Sequence, residues 1–246
     1  MRIANRNFSP TLFAVAITIA AVALFVRLAF WQIGRAAEKD ALQAKYAAGQ
    51  RSVVELTAAN AAALTQYQRV TARGHYVSAH QILLDSMPSA MGQPGYRVVT
   101  PFELEDGSWL LVDRGWHRPG ATRSDIPDVA VGELPRTVAG QLSALPQPGV
   151  RLSGPASTGN NWPRVMNYPQ QSSVEQALES KVLPGLVLLD RDQPDGYERA
   201  WQARTDLGSE RHLSYAVQWF GFAIAAIALF VVMGLRRGRM LDEGKQ

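Results

Sequence analysis

The sequence predicts an α+β membrane protein: two transmembrane helices, one near each end, flanking a β-rich antiparallel extracytoplasmic domain with one or two helices of its own. Three observations carry this. An apolar run stands near each end, at residues 11–31 and 215–235. Between them, short stretches alternate apolar and polar residues and are separated by proline- and glycine-rich loops, the pattern of half-buried strands. The charge is also unevenly placed. Residues 31–214 hold 18 of the 25 basic and 19 of the 21 acidic residues, a net of −1, and the two ends hold the other 7 and 2, a net of +5. The basic balance therefore belongs to the membrane flanks. A nucleic-acid groove needs excess positive charge on the folded domain, so no nucleic-acid partner is expected.

The first ten residues are polar, with Arg2 and Arg6. Residues 11–26 are apolar, Arg27 interrupts, and Leu28, Ala29, Phe30 and Trp31 complete the run. An arginine near a helix end snorkels to the interface, and tryptophan is a usual interfacial anchor. Ala21-Val22-Ala23 resembles a signal-peptidase site, but it lies inside the run, so a retained anchor is expected. Residues 215–235 contain no charge over 21 positions; about 20 helical residues cross a hydrocarbon core of about 30 Å. Arg236, Arg237 and Arg239 follow at once. Positive charge at both ends places both termini in the cytoplasm. The expected organisation is a cytoplasmic N-terminus (1–10), a first span (11–31), an extracytoplasmic domain (32–214), which is periplasmic in a bacterial inner membrane and lies in the intermembrane space in a mitochondrion, a second span (215–235) and a cytoplasmic tail (236–246).

Residues 32–49 continue helically, rich in Ala, Leu, Lys, Glu and Gln, with Gly49 as a stop. Arg27, Trp31 and Arg35 recur every four residues and form a stripe on this helix. Strands are expected at 68–76, 80–85, 96–104, 108–116, 136–142 and 186–189. Asp106-Gly107 is a two-residue hairpin signal between the third and fourth. Residues 119–135 and 146–163 read as loops, and 172–182 as an amphipathic helix capped by Ser172 or Ser173. Of the tryptophans outside the spans, strand-borne Trp109 is expected in the core, whereas Trp116, Trp162 and Trp201 are left between core and interface.

Chemistry-bearing groups are few. The chain has no cysteine, which excludes disulfides, thiolate nucleophiles, thiolate metal sites and covalent haem attachment. His75 and His80 lack further ligands at metal spacing and read as surface residues; His117 has no evident partner. Asp113-Arg114 and Asp190-Arg191-Asp192 read as salt-bridged strand ends. None of the common hydrolase, zinc-protease, phosphate-loop or dinucleotide motifs is present, so no enzyme is expected. His212 is the outstanding residue. It stands at the mouth of the second span with Tyr215 and Trp219 at i+3 and i+7, on one helical face. That position suits either a helix-end anchor or a haem-iron ligand.

Four blocks, in order, carry a family resemblance. The first is Trp31-Gln32-Ile33-Gly34-Arg35-Ala36-Ala37-Glu38-Lys39. The second is Gly74 and Tyr76 with Leu83-Leu84-Asp85. The third joins Gly95-Tyr96-Arg97-Val98-Val99-Thr100-Pro101-Phe102 through Asp106-Gly107 to Leu111-Val112-Asp113-Arg114-Gly115-Trp116. The fourth is Arg211-His212-Leu213-Ser214-Tyr215-Ala216-Val217-Gln218-Trp219-Phe220. The chain resembles the Surfeit locus protein 1 family of cytochrome c oxidase assembly factors nearly end to end. It departs at Asp113 and Arg211, where the family usually has asparagine, and at Ser86-Met87, where bacterial relatives often have Asn-Arg.

The resemblance implies a non-catalytic role in maturing the haem-bearing core subunit of a terminal oxidase, with haem a as a transient cofactor. The expected partners are that subunit, the lipid bilayer and the haem a synthesis machinery. The resemblance carries the ligand role to His212 alone. Tyr215 and Trp219 are then expected to pack the macrocycle, with Arg27 and Arg35 pairing with the propionates. Two other classes compete: a scaffold that never touches haem, and a membrane-anchored periplasmic enzyme. A haem spectrum separates the first two; the third needs an acid–base or nucleophile set that does not stand out.

Overall fold

The computed structural model describes the chain except residues 1, 4–5, 123–124, 148–156, 159–160, 202–207 and 244–246. It divides into two units, one built from Met1–Ala44 with Arg204–Gln246, the other from Lys45–Ala203.

The first unit holds the two long helices. A two-stranded ribbon, β1 (Arg2–Ile3) and β2 (Arg6–Asn7), precedes α1 (Leu12–Gly49). Thr11 caps α1: its Oγ1 accepts the Ala14 N–H at 3.1 Å, satisfying one of the free donors of the first turn. The other long helix, α3, spans Ser209–Glu243. Both contain windows long and apolar enough to cross a membrane, and those windows are almost wholly exposed. Apolar surface on that scale is unfavourable in water and at home in lipid. Ala21-Val22-Ala23 lies in mid-helix. The helices run antiparallel. Ring contacts join Phe25 to Trp219 and Phe30 to Phe220, and the Ser9 N–H donates to the Gly234 carbonyl at 3.2 Å.

The second unit is a mixed sheet of nine described strands with one described α-helix. Its strands are β3 (Val53–Glu55), β4 (Arg69–Tyr76), β5 (Ile82–Pro88), β6 (Pro94–Leu104), β7 (Trp109–His117), β8 (Arg136–Ser143), β9 (Ser157–Thr158), β10 (Arg164–Met166) and β11 (Leu186–Leu189). The helix is α2 (Gln171–Leu178), and a 3-10 turn (Ser78–His80) precedes β5. Six expected strands are present with ends shifted by at most three residues. The sheet is not purely antiparallel: β3 pairs parallel to β4, β10 to β5 and β11 to β7. Alternation reveals a strand's faces but not the direction of its neighbour.

Five strands close a ring, in the order β4-β8-β11-β7-β6, with β6 returning to β4. The closure is short. After Gly74, β4 leaves β8 and pairs with β6 through Gly74↔Leu104, His75↔Glu103 and Tyr76↔Phe102. Each ring strand sends alternate side chains to one cluster: Val70, Ala72 and Tyr76; Phe102 and Leu104; Leu110 and Val112; Val138 and Leu142; Val187 and Leu189. The opposite face, with Ile82, Leu84, Leu111 and Leu186, packs against Val174, Ala177 and Leu178 of α2. Trp109, Trp116 and Trp162 lean on this second cluster. Being buried on two faces, these strands read as continuous apolar runs such as Leu110-Leu111-Val112. The β6–β7 hairpin is closed by three residues rather than two. The Gly107 N–H bonds to the Leu104 carbonyl and the Leu104 N–H to that of Ser108, with Gly107 left-handed at φ +81°.

Candidate functional site

The apolar run of α1 ends at Trp31 and that of α3 begins at Tyr215. The antiparallel register sets the residues just beyond these limits against each other. His212 Nδ1 lies 2.7 Å from Gln32 Oε1. An amide oxygen only accepts, so in the neutral ring this contact places the hydrogen on Nδ1 and leaves the lone pair on Nε2. Among the described residues no hydrogen bond engages Nε2. Two turns along, Trp219 stacks on Phe25 with centroids 5.8 Å apart, and Phe222 meets both rings. Gln32 is nearly buried, in line with buried Ala29 and Ala36; Ala216 and Ala223 are the matching buried residues of α3.

The expected face of His212, Tyr215 and Trp219 divides. His212 and Trp219 meet α1, whereas Tyr215 is 44% exposed on the flank. Arg35 is exposed and paired with Glu38 at 2.6 Å. Arg27 is exposed and has no hydrogen-bond or ion-pair partner among the described residues. At about 100° per residue it falls on the side of α1 away from the Ala29–Gln32–Ala36 line. The structure therefore joins His212 to Gln32 and Trp219 to Phe25, and does not bring Arg27 to them. Gln32 and Phe25 were not anticipated. Their signal was a matched spacing, seven residues on α1 and seven between His212 and Trp219.

No group of three or more His, Asp or Glu stands together among the described residues. A metal at His212 would have to arrive already held by its own ligands. A flat, apolar metal macrocycle fits this requirement: one imidazole nitrogen with a defined lone pair, beside aromatic rings. At the opposite end of the helix pair lies an apolar cavity of about 750 Å³ lined by Phe13, Ile17, Leu229 and Met233, with Arg236 and Arg237 at its edge. Its lining suits hydrocarbon rather than chemistry.

In the second unit, the residues of the sequence blocks are used by the fold. A Cβ on Gly74 would meet the Glu103 carbonyl oxygen at 1.9 Å, so β4 can cross to β6 only with glycine there. A Cβ on Gly95 would meet the Trp116 ring at 2.5 Å. Val99 opposes Asp113 but Val98 opposes Gly115, which makes Arg114 the extra residue of a β-bulge. Gly115 adopts φ +116° there. Asp113 is fully buried and ion-paired with Arg97, and its Oδ1 accepts the Gly115 N–H at 3.0 Å. Burial pushes the Asp113 carboxyl up, against the opposing pull of Arg97.

Arg114, 2% exposed, donates to the Asp195 carbonyl at 2.7 Å and the Val129 carbonyl at 2.8 Å, and lies between the Tyr76 and Tyr197 rings. Burial pushes the Tyr76 phenol up to about 12 although Arg114 and Arg136 favour its ionised form. Trp116 Nε1 donates to the Met87 carbonyl at 2.9 Å.

The remaining histidines and Asp190 also find partners. His75 lies 3.6 Å from Glu103. His80 is half-buried: its ring packs against Trp109 and Trp162, with the Nδ1 atom buried. His117 Nδ1 lies 2.6 Å from the Arg118 carbonyl and its ring meets Tyr197 edge-on. Asp190 pairs with Arg69 at 2.6 Å.

Comparison with known proteins bears on the whole arrangement. An uncharacterised SURF1-like protein of Mycobacterium tuberculosis is 31% identical over 216 residues, covering 82% of this chain and 74% of its own. A SURF1-like protein of Rickettsia felis is 26% identical over 216 residues, covering 85% and 91%. One of Monosiga brevicollis is 25% identical over 233 residues, covering 86% and 84%. The profile described as the SURF1 family matches residues 19–224, from within α1 to within α3 and across every block above. On that match the chain belongs to the SURF1 family.

Proposed function

We propose that this chain is an assembly factor for a haem-copper terminal oxidase, cytochrome c oxidase, acting in a bacterial inner membrane with its sheet domain in the periplasm and both termini in the cytoplasm. It assists delivery of haem a to, or its insertion into, the core subunit. Family membership supports the oxidase role. The observation that carries the haem role is His212 at the end of both apolar runs, with Nδ1 held by Gln32 and Nε2 unengaged. Haem a, when bound, supplies the redox iron and a planar apolar ring. His212 Nε2 would hold its iron, and Tyr215 and Trp219 would pack beside the ring. Arg35, one helical turn beyond Gln32, meets a propionate; for Arg27, on the outer side of α1, that role is less direct and the headgroup region is nearer. The partners are the core subunit, the bilayer and the enzymes that make haem a.

The test is an optical spectrum of the detergent-purified protein, expressed with haem a synthesis switched on, for wild type and His212→Ala. A reduced haem a band lost in the variant sustains the proposal. One observation favours a second reading, a scaffold that holds an assembly intermediate without haem: Trp219 is already stacked on Phe25 and Phe222. No band in either protein would select it.

A further inference from the structure

We propose that Gln32 is the positioning residue for His212: it sets the imidazole tautomer that presents Nε2, and, being a neutral amide, it keeps the resulting iron bond weak enough to be given up. This rests on the proposed role of His212 as haem ligand.

A neutral imidazole has two tautomers, and only the one protonated on Nδ1 offers Nε2 to a metal. Iron-bound histidines are commonly fixed by an acceptor on their other ring nitrogen. Here the acceptor does not come from α3 itself. It is Gln32 Oε1 at 2.7 Å, 180 positions away in the chain. Gln32 is itself restrained, since it is 9% exposed within the buried line of Ala29 and Ala36. The ring is therefore held in this tautomer when α1 and α3 are paired.

The chemical identity of the acceptor also matters. A carboxylate would draw the Nδ1 proton strongly, giving the ring imidazolate character and a firm bond to iron. An amide orients the ring without adding charge and polarises it less. A charged partner would also be costly at a position that is only 9% exposed. A stable haem enzyme gains from a firm ligand, whereas a protein that passes its haem on gains from a releasable one.

The experiment uses the full chain in detergent, labelled with ¹⁵N-histidine, as wild type, Gln32→Leu, Gln32→Glu and His212→Ala. In the haem-free wild type the His212 signals, identified by their loss in His212→Ala, should show a protonated Nδ1 and an unprotonated Nε2. Gln32→Leu should lose that preference and retain roughly tenfold less haem a. Gln32→Glu should restore the preference, raise the iron–histidine stretching frequency in resonance Raman, and slow transfer of haem a to apomyoglobin.

Circular dichroism and gel filtration show that each variant is folded. Unchanged His212 signals in Gln32→Leu would overturn the inference. So would a Gln32→Glu protein whose Raman band and transfer rate match those of Gln32→Leu. A shifted tautomer in Gln32→Leu, combined with undiminished haem in His212→Ala, would sustain the Gln32–His212 coupling and overturn the haem reading instead.

Discussion

Arg97 and Asp113 form an ion pair between β6 and β7, with Asp113 fully buried and the Arg97 guanidinium 4.9 Å from the Trp201 ring centroid. Removing Asp113 from water outweighs the pull of Arg97, so its carboxyl titrates above the ordinary 3.8. Asp190 is shifted the same way, also by burial and against Arg69. In the window above 3.8 the folded protein therefore holds protons that the unfolded chain has released. Stability falls as pH rises through that window. Asp113→Asn should flatten this part of the profile, and thermal unfolding followed by circular dichroism across a pH series measures it. Asparagine is also the residue the family resemblance places at this position.

Two glycines separate backbone need from close packing. At Gly115 a side chain would face φ +116° and the Glu198 carbonyl oxygen 2.7 Å from its Cβ. Gly115→Ala should cost about 2–3 kcal/mol or prevent folding. Gly107 is also left-handed, at φ +81°, but has open space around it. Asparagine tolerates that region, so Gly107→Asn should cost under about 1 kcal/mol. Chemical denaturation midpoints of the two variants make the comparison.

Arg114 should be irreplaceable even by lysine. Its guanidinium reaches two carbonyls on separate segments, Val129 and Asp195, while lying between two tyrosines. A lysine keeps the charge but loses the planar fork and the stacking surface. Arg114→Lys should destabilise the sheet domain by about 3 kcal/mol, with faster proteolysis of the segments holding Val129 and Asp195 as the local readout.

The helix pair offers its own test. Ala216 is buried, one turn from both His212 and Trp219, which touch α1. Ala216→Phe should push the helices apart. Cysteines placed at Phe25 and Trp219, where the rings now stack, should cross-link efficiently in the parent and poorly with Ala216→Phe.

The natural absence of cysteine makes topology directly measurable. Met91, at the β5–β6 hairpin, and Met240, in α3 beyond the apolar run, are both exposed. With the proposed orientation, Met91→Cys reacts with a membrane-impermeant maleimide on spheroplasts, and Met240→Cys reacts only after permeabilisation. The reverse pattern would refute the orientation.

Much of this architecture was legible because its signals are local. Leu186–Leu189 was expected at its observed limits, and β4 within one residue, because β-branched and apolar runs bounded by turns are strand signals. What escaped was pairing. β11 lies parallel to β7 and antiparallel to β8, and nothing in Leu186-Val187-Leu188-Leu189 distinguishes its two edges. The three-residue strands β3 and β10 are too short to show a period. The place of His212 at the end of the second apolar run was legible in the sequence. Gln32 stood in the first sequence block but was hidden, because its partner lies on the other helix. Asp113 appeared to be one of a pair with its neighbour Arg114, whereas the bulge turns the two to different partners.

The place of β11 has a consequence for biosynthesis. It sits between β7 and β8, so the ring has a gap until Leu189 has left the ribosome. Any chain ending earlier is not a smaller barrel but an open sheet with two unsatisfied edges, prone to pair with other chains. Only about 20 residues separate that strand from α3. By the time the sheet domain can close, α3 is already following it through the exit tunnel, so closure of that domain and emergence of α3 become nearly simultaneous events. Premature stop codons late in the reading frame should therefore be as damaging as early ones, leaving degraded or aggregated protein rather than a partly active fragment.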